Sequence, residues 1–183
     1  MDLVIAKLNE DVSWIKDLPY RIFLYDKSSQ PINNSIHLPN YGNEADTYLY
    51  HIINNYNNLD KFVVFSQANF TDHQPNFLEI LENLSIKQNM FSSFTEEIFH
   101  CDHDGNPNYP GLKINNFVKR FNIQVPRTLT FNEGAIFGVS RDLILAYPKQ
   151  FYINLNSCNK EDNFAHIMER LWEYIFTVHS SSS

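Results

Sequence analysis

Residues 61–67, KFVVFSQ, constrain the fold more than any other segment, because residues 62–65 are four apolar residues in succession. A strand with one face in water alternates apolar and polar residues, whereas a strand covered on both faces is apolar throughout. The segment therefore predicts a central strand of a sheet that is covered on both sides.

Strand-like and helix-like segments alternate around this strand. Residues 2–8 and 20–30 predict strands, and residues 44–56 and 76–85 predict helices. A further helix is expected within residues 9–18, with Asn9 or Asp11 as its cap, and Val12, Ile15 and Leu18 share one face of it before Pro19 ends it. This order is typical of an α/β domain with a mostly parallel central sheet flanked by helices.

The second half is less regular but shows no linker. Residues 100–112 are rich in turn formers, and residues 114–121 predict a short helix. Residues 128–155 predict a strand, a glycine corner, a strand and a helix that begins near Ser140 and is interrupted at Pro148. A long amphipathic helix is expected over residues 160–178. We expect one domain over residues 1–179 and a disordered tail over residues 180–183.

Charge and composition exclude several classes of partner. The net charge is -7 and no cluster of Lys and Arg is present, so neither nucleic acid nor an anionic membrane surface is expected to bind. No run of 18 apolar residues predicts a membrane span. The two cysteines, Cys101 and Cys158, match no zinc spacing and predict a reduced pair in a cytoplasmic protein.

Polar residues follow the predicted strands, at the edge where α/β folds bind ligands. Asn40, Gly42 and Glu44 precede a helix, so they indicate either a ligand loop or a helix start that Asn43 caps. Asp72 and His73 follow the central strand and indicate either a divalent metal site or a hydrated loop.

Two later segments offer further candidates. Arg141 begins a predicted helix and indicates either a phosphate contact or a surface ion pair. Glu169 shares a helix face with Trp172, and a carboxylate half-buried beside an indole can act as a base; the alternative is an ion pair with Arg170.

Asp102 and Asp104 resemble part of a calcium loop, but the later ligands are missing, which favours an exposed turn. No nucleophile elbow, Walker A or dinucleotide motif is present.

The order of these segments resembles the glycosyltransferase A fold of the nucleotide-sugar transferases. The matching segments are LVIAKLNE, IFLYDKSS, NYGNEADTYLYHI and FVVFSQANFTDH. More specifically, the chain resembles an uncharacterised domain family of fungi, bacteria and large viruses. Four spaced motifs carry this resemblance: Asn40, Gly42, Glu44, Ala45, Tyr48 and Leu49; Gln67, Asp72 and His73; Phe137, Val139, Ser140 and Arg141; and Glu169, Arg170, Trp172, Ile175 and Phe176.

The resemblance implies transfer of a sugar from a nucleotide-diphosphate sugar to a hydroxyl of a glycan or small-molecule acceptor. Glu169 would be the catalytic base, with Asp72 as the alternative, and Asp72 and His73 would hold Mn²⁺ or Mg²⁺. The donor would contact nine residues: Asp26, Asn40, Gly42, Glu44, Gln67, Asn69, Ser140, Arg141 and Trp172.

The chain departs from these patterns at two places. Asn43 stands where the relatives have Arg, and the segment from Gln67 to Asn69 stands where transferases of this fold carry a metal-binding D-x-D motif. Three alternatives follow: a metal held by Asp72 and His73, transfer without a metal, or a non-catalytic module that binds a glycan or nucleotide. A metal-dependent hydrolase built on Asp72 and His73 is a further hypothesis.

Overall fold

A computed structural model describes residues 1–178 of the chain, and the expected tail over residues 180–183 lies outside the described residues. These residues form a single α/β domain in which helices flank a six-stranded sheet. The main sheet contains β1 (Asp2–Lys7), β2 (Arg21–Asp26), β3 (Ile36–His37), β4 (Phe62–Gln67), β5 (Phe91–Ser93) and β10 (Phe137–Ser140). The remaining strands, β6 (Ile98–Cys101), β7 (Gly105–Asn106), β8 (Tyr109–Pro110) and β9 (Leu129–Asn132), form two small two-stranded sheets.

The strand order in the main sheet is β3-β2-β1-β4-β10-β5. The pairs among β1, β2, β3 and β4 are parallel, whereas β10 is antiparallel to both β4 and β5. The sheet is therefore mixed, and the expectation of a mostly parallel sheet is confirmed only for its first four strands.

The helices are α1 (Asn43–Asn55), α2 (Phe77–Glu82), α3 (Ile114–Phe121), α4 (Arg141–Leu145), α5 (Lys149–Asn156) and α6 (Phe164–Thr177). The prediction of a helix within residues 9–18 is wrong, since only a 3-10 turn, Ser13–Ile15, forms there. Asp11 accepts hydrogen bonds from the backbone N–H and the hydroxyl of Ser13, at 3.1 and 2.5 Å, and these local bonds replace a longer helix.

The central strand β4 is covered on both faces, as its sequence predicts. Val63 and Phe65 belong to a core cluster with α1, α5 and α6, and Phe62 and Val64 belong to a second cluster with Phe77 of α2. Successive side chains of a strand point to opposite faces, so the apolar run supplies both clusters.

Both cysteines are free and buried. None of the helices within residues 1–178 is long and apolar enough to span a membrane.

Gly42 is required by packing as well as by backbone conformation. It precedes α1 with φ of 57°, in the left-handed region. A Cβ at this position would lie 3.0 Å from the carbonyl oxygen of Asn159 and 3.1 Å from the ring of Phe164. The glycine therefore lets the start of α1 pack closely against the connection between α5 and α6.

We expect Gly42→Ala to destabilise the protein more than Gly111→Ala. Both residues have a positive φ, 57° and 77°, so each substitution brings about 1–2 kcal/mol of backbone strain. A Cβ at Gly111 meets nothing within 4 Å, whereas at Gly42 the overpacking adds about 1–3 kcal/mol. Urea unfolding of the two variants measures the difference, and equal losses of stability would contradict the packing argument.

Candidate functional site

A cleft lies at the point where the strand order of the sheet reverses. β2 and β3 lie on one side of β1, and β4 lies on the other, so β1 and β4 flank a topological switch point. In open α/β sheets, ligands bind outside the carboxyl ends of the strands at such a point. A cleft of about 220 Å³ is found here, and we call it the switch-point cleft; it is lined by Ala6, Lys7, Leu8, Glu10, Lys27, Asn40, Asn43, Glu44 and Gln67.

Lys27 fixes the loop that forms one wall of the cleft. It directly follows β2, and its side chain is only 3% exposed. Its ammonium group donates to the carbonyl oxygens of Tyr41 and Asn43, both at 2.6 Å, and to Oδ2 of Asp46 at 2.8 Å. Burial lowers the pKa of Lys27, and the carboxylate of Asp46 opposes that effect. All three ammonium protons are thus used to hold the start of α1 against the sheet.

A second buried lysine, Lys7, ends β1 and also lines the cleft. Its Nζ lies 3.2 Å from Oδ2 of Asp26 and donates to the carbonyl of Leu8 at 3.1 Å. Asp26 is fully buried and also accepts the backbone N–H groups of Ser28 and Ile32, at 2.8 and 3.1 Å. Burial alone would raise the pKa of Asp26, but these hydrogen bonds and Lys7 lower it overall. Asp26 thus shapes the turn after β2, and it is not among the residues that line the cleft.

The start of α1 contributes both amides and backbone N–H groups. No side chain caps this helix, so the alternative that Asn43 is its capping residue is wrong. Asn43 is instead the first helical residue, and together with Asn40 and Glu44 it lines the cleft. The first N–H groups of an α-helix have no partner within the helix and carry partial positive charge.

The carboxylates of Glu44 and Glu169 interact electrostatically near the start of α1, and both have raised pKa values. Glu44 is half-buried, and removal of its carboxylate from water, together with the nearby charge of Glu169, raises its pKa to about 7. Burial also raises the pKa of Glu169, although the Gly134 N–H group and Arg170 oppose it. Only Glu44 of the two lines the switch-point cleft.

Both carboxylate oxygens of Glu169 are already engaged. Oε1 accepts the backbone N–H of Gly134 at 2.8 Å, and Oε2 accepts Nη1 of Arg170 at 3.2 Å. Gln67 donates from Nε2 to the carbonyl of Gly134 at 2.7 Å, so the glycine corner joins the end of β4 to α6. A Cβ at Gly134 would lie 2.6 Å from the ring of His73, which explains the glycine.

The loop after β4 faces a different cleft. Asp72 and His73 line a cleft of about 380 Å³ together with Glu96, Glu97 and Glu133. Asn69 donates to Oδ2 of Asp72 at 2.5 Å. Among residues 1–178, no group of three or more His, Cys, Asp or Glu side chains is arranged to hold a metal ion. Asp72 and His73 thus lie apart from the switch-point cleft, whose lining includes neither residue.

Ser140 and Arg141 lie far from the switch-point cleft. Because β10 is antiparallel, Ser140 pairs with Phe62 at the beginning of β4, which is the opposite edge of the sheet. Trp172 is 2% exposed and packs its ring against Tyr48, Phe137 and Phe176 in the core. The structure thus brings together Asn40, Glu44 and Gln67 around the cleft, with Gly42 and Glu169 behind its wall.

Sequence reasoning did not select Lys7 and Lys27 as site residues. Both stand at the carboxyl ends of predicted strands, and that position was the available signal. The role of the Gly134 backbone had no comparable signal, since it depends on how the corner meets β4 and α6.

The fold and cleft define an α/β protein with a polar cleft at the switch point of its sheet. Residues 3–182 match the family described as "Protein of unknown function (DUF3431)". This match spans nearly the whole chain, so the protein belongs to that family, which confirms the prediction of an uncharacterised domain family. A search of curated proteins and a search of solved structures each found no match.

We expect Lys27→Met to lower the free energy of unfolding by roughly 3–5 kcal/mol, because it leaves Asp46 buried without its cation. The exposed Lys16→Met is the matched control and should change stability by less than about 0.5 kcal/mol. Denaturant unfolding measures both, and a small effect at Lys27 would show that the loop is held by other contacts.

Glu44→Gln should be more stable than wild type at pH 8, and this gain in stability should be much smaller at pH 5. The pKa of Glu44 is about 7 in the folded protein and near 4.5 in the unfolded chain, so ionisation destabilises the fold as the pH rises through this window. Glutamine removes that penalty. Thermal melts of wild type, Glu44→Gln and the exposed control Glu82→Gln at both pH values measure it. A difference that does not depend on pH would contradict the raised pKa.

Proposed function

We propose that the protein is a glycosyltransferase that binds a nucleotide-diphosphate sugar in the switch-point cleft and transfers the sugar to an acceptor hydroxyl. The observation that carries the proposal is that a lysine, Lys7, and a glutamate, Glu44, both line one cleft at the switch point. A sugar transfer needs positive charge for the departing diphosphate and a base for the acceptor hydroxyl.

The donor diphosphate would lie against Lys7 and the start of α1. Lys7 uses two of its ammonium protons for Asp26 and the carbonyl of Leu8, so a third remains for a phosphate oxygen. The first N–H groups of an α-helix have no partner within the helix, and such a helix start attracts phosphate oxygens. The side-chain amides of Asn40, Asn43 and Gln67 would bind hydroxyl groups of the ribose or sugar.

Glu44 would act as the base, with Glu169 as a positioning residue behind it. A carboxylate with a pKa of about 7 can accept a proton near neutral pH, which suits general base catalysis. The acceptor oxygen would bond to the anomeric carbon as its proton passes to Glu44. The bond from the anomeric carbon to the diphosphate breaks, and the diphosphate leaves with the electron pair. Since both oxygens of Glu169 are engaged, its charge acts through the pKa of Glu44.

The steps above use only residues of the switch-point cleft and its wall, and the test below measures the contribution of a metal by comparing donors with and without Mn²⁺. The transfer would take place in the cytoplasm, where the free thiols of Cys101 and Cys158 would be stable.

A second candidate function is a module that binds a glycan or nucleotide without turnover. Lys7 and Lys27 are already paired with Asp26 and Asp46, while Glu10 and Glu44 add negative charge to the cleft. For a module without turnover, this charge balance suits a glycan better than a nucleotide diphosphate.

The test is hydrolysis and transfer with millimolar UDP-sugars and GDP-sugars, with and without Mn²⁺, alongside thermal shift. Wild type should bind and turn over at least one donor. Glu44→Gln should keep donor binding while kcat falls by about 10²-fold or more, because the base is lost. Glu82→Gln should behave as wild type.

Binding without turnover in wild type would support the binding module instead. If no donor causes a thermal shift and none is hydrolysed, the transferase proposal is contradicted.

A further inference from the structure

A second cleft lies at the edge of the sheet opposite the switch-point cleft. It has a volume of about 360 Å³, and we call it the basic cleft; its walls include Lys61, Ile86, Lys87, Ser140, Arg141 and Asp142. It lies at the beginning of β4 and the end of β10, so it is separate from the proposed donor site.

Positive charge is concentrated in the basic cleft although the whole chain carries a net charge of -7. Three cationic side chains, Lys61, Lys87 and Arg141, face one carboxylate, Asp142. The ion pairs found within residues 1–178 involve none of these four residues. The three cations thus outnumber the one carboxylate of the cleft, and none of them forms an ion pair with it.

The backbone holds these cations in place. The N–H of Arg141 donates to the carbonyl of Lys61 at 3.0 Å. The hydroxyl of Ser140 accepts the N–H of Met90 at 2.8 Å and lies within hydrogen-bond distance of the Lys87 carbonyl, at 3.2 Å. The segments that carry the three cations are therefore joined by hydrogen bonds at the base of the cleft.

Arg141 also has an unsatisfied donor. Its Nε is buried and has no hydrogen-bond partner among the described residues. A buried donor without an acceptor is costly, because it has lost water and gained nothing in return. Because Nε is closed to solvent, a phosphate in the cleft would meet the terminal N–H groups of the guanidinium, which bind phosphate in parallel pairs.

We propose that the basic cleft binds a small molecule that carries a phosphate group, with an apolar part of that molecule against Ile86. Arg141 and the two lysines bind the phosphate, and the side chain of Ile86, which is 47% exposed, offers the apolar contact. Phenyl phosphate is a suitable probe because it combines both features, and inorganic phosphate isolates the charge.

The experiment is an NMR titration of the ¹⁵N-labelled full chain with each probe, near physiological salt so that weak surface attraction is screened. Both probes should shift the amide signals around Lys61, Lys87 and Arg141, and phenyl phosphate should bind more tightly. Arg141→Gln should weaken the binding of phenyl phosphate by about tenfold or more, because a charged hydrogen-bond donor is lost. The exposed Arg127→Gln is the control and should leave the affinity unchanged.

Lys61→Gln and Lys87→Gln change exposed side chains and keep the test valid if Arg141→Gln does not fold. Each should weaken the binding of both probes. Ile86→Ser should remove the preference for phenyl phosphate and leave the affinity for inorganic phosphate unchanged. Absence of signal changes at these residues would overturn the proposal, as would equal weakening by Arg127→Gln.

Discussion

The ammonium group of Lys27 joins the end of β2 to the loop before α1, and the switch-point cleft depends on that connection. Its three hydrogen bonds reach two carbonyl oxygens and the carboxylate of Asp46, which in turn accepts the side chain of Asn159 at 2.7 Å. The same loop contains Gly42, which packs against the connection between α5 and α6. A buried charge with all its partners satisfied holds one geometry, because every alternative leaves a charge unpaired in a medium of low dielectric constant.

This geometry fixes the position of Glu44 at the wall of the cleft, near Glu169. Glu169 is held from the other side by the Gly134 N–H group and Arg170, so its charge stays near Glu44. Burial and this neighbouring charge raise the pKa of Glu44 to about 7. The arrangement connects packing to chemistry, since the contacts that hold α1 against the sheet also bring a carboxylate into the pH range where it can exchange protons with a substrate.

The sequence was sufficient to predict the central strand, α1 and α6, because their apolar residues follow the period of the element. It also predicted that Asn40, Glu44 and Gln67 would lie at one edge of the sheet. The direction of β10 could not be predicted, since it depends on how a long connection returns to the sheet, and that direction moves Arg141 to the opposite edge. The spacing of Val12, Ile15 and Leu18 fits a helix, but hydrogen bonds between Asp11 and Ser13 form a local turn instead.

The most direct test of the account is a titration of the Glu44 side-chain carboxyl by ¹³C NMR, in wild type and in Glu169→Gln. The midpoint should lie at about pH 7 in wild type and lower in the variant, because one of the two causes of the raised pKa is removed. A wild-type midpoint near the ordinary value of 4.5 would contradict the account, since Glu44 would then be an ordinary solvated carboxylate.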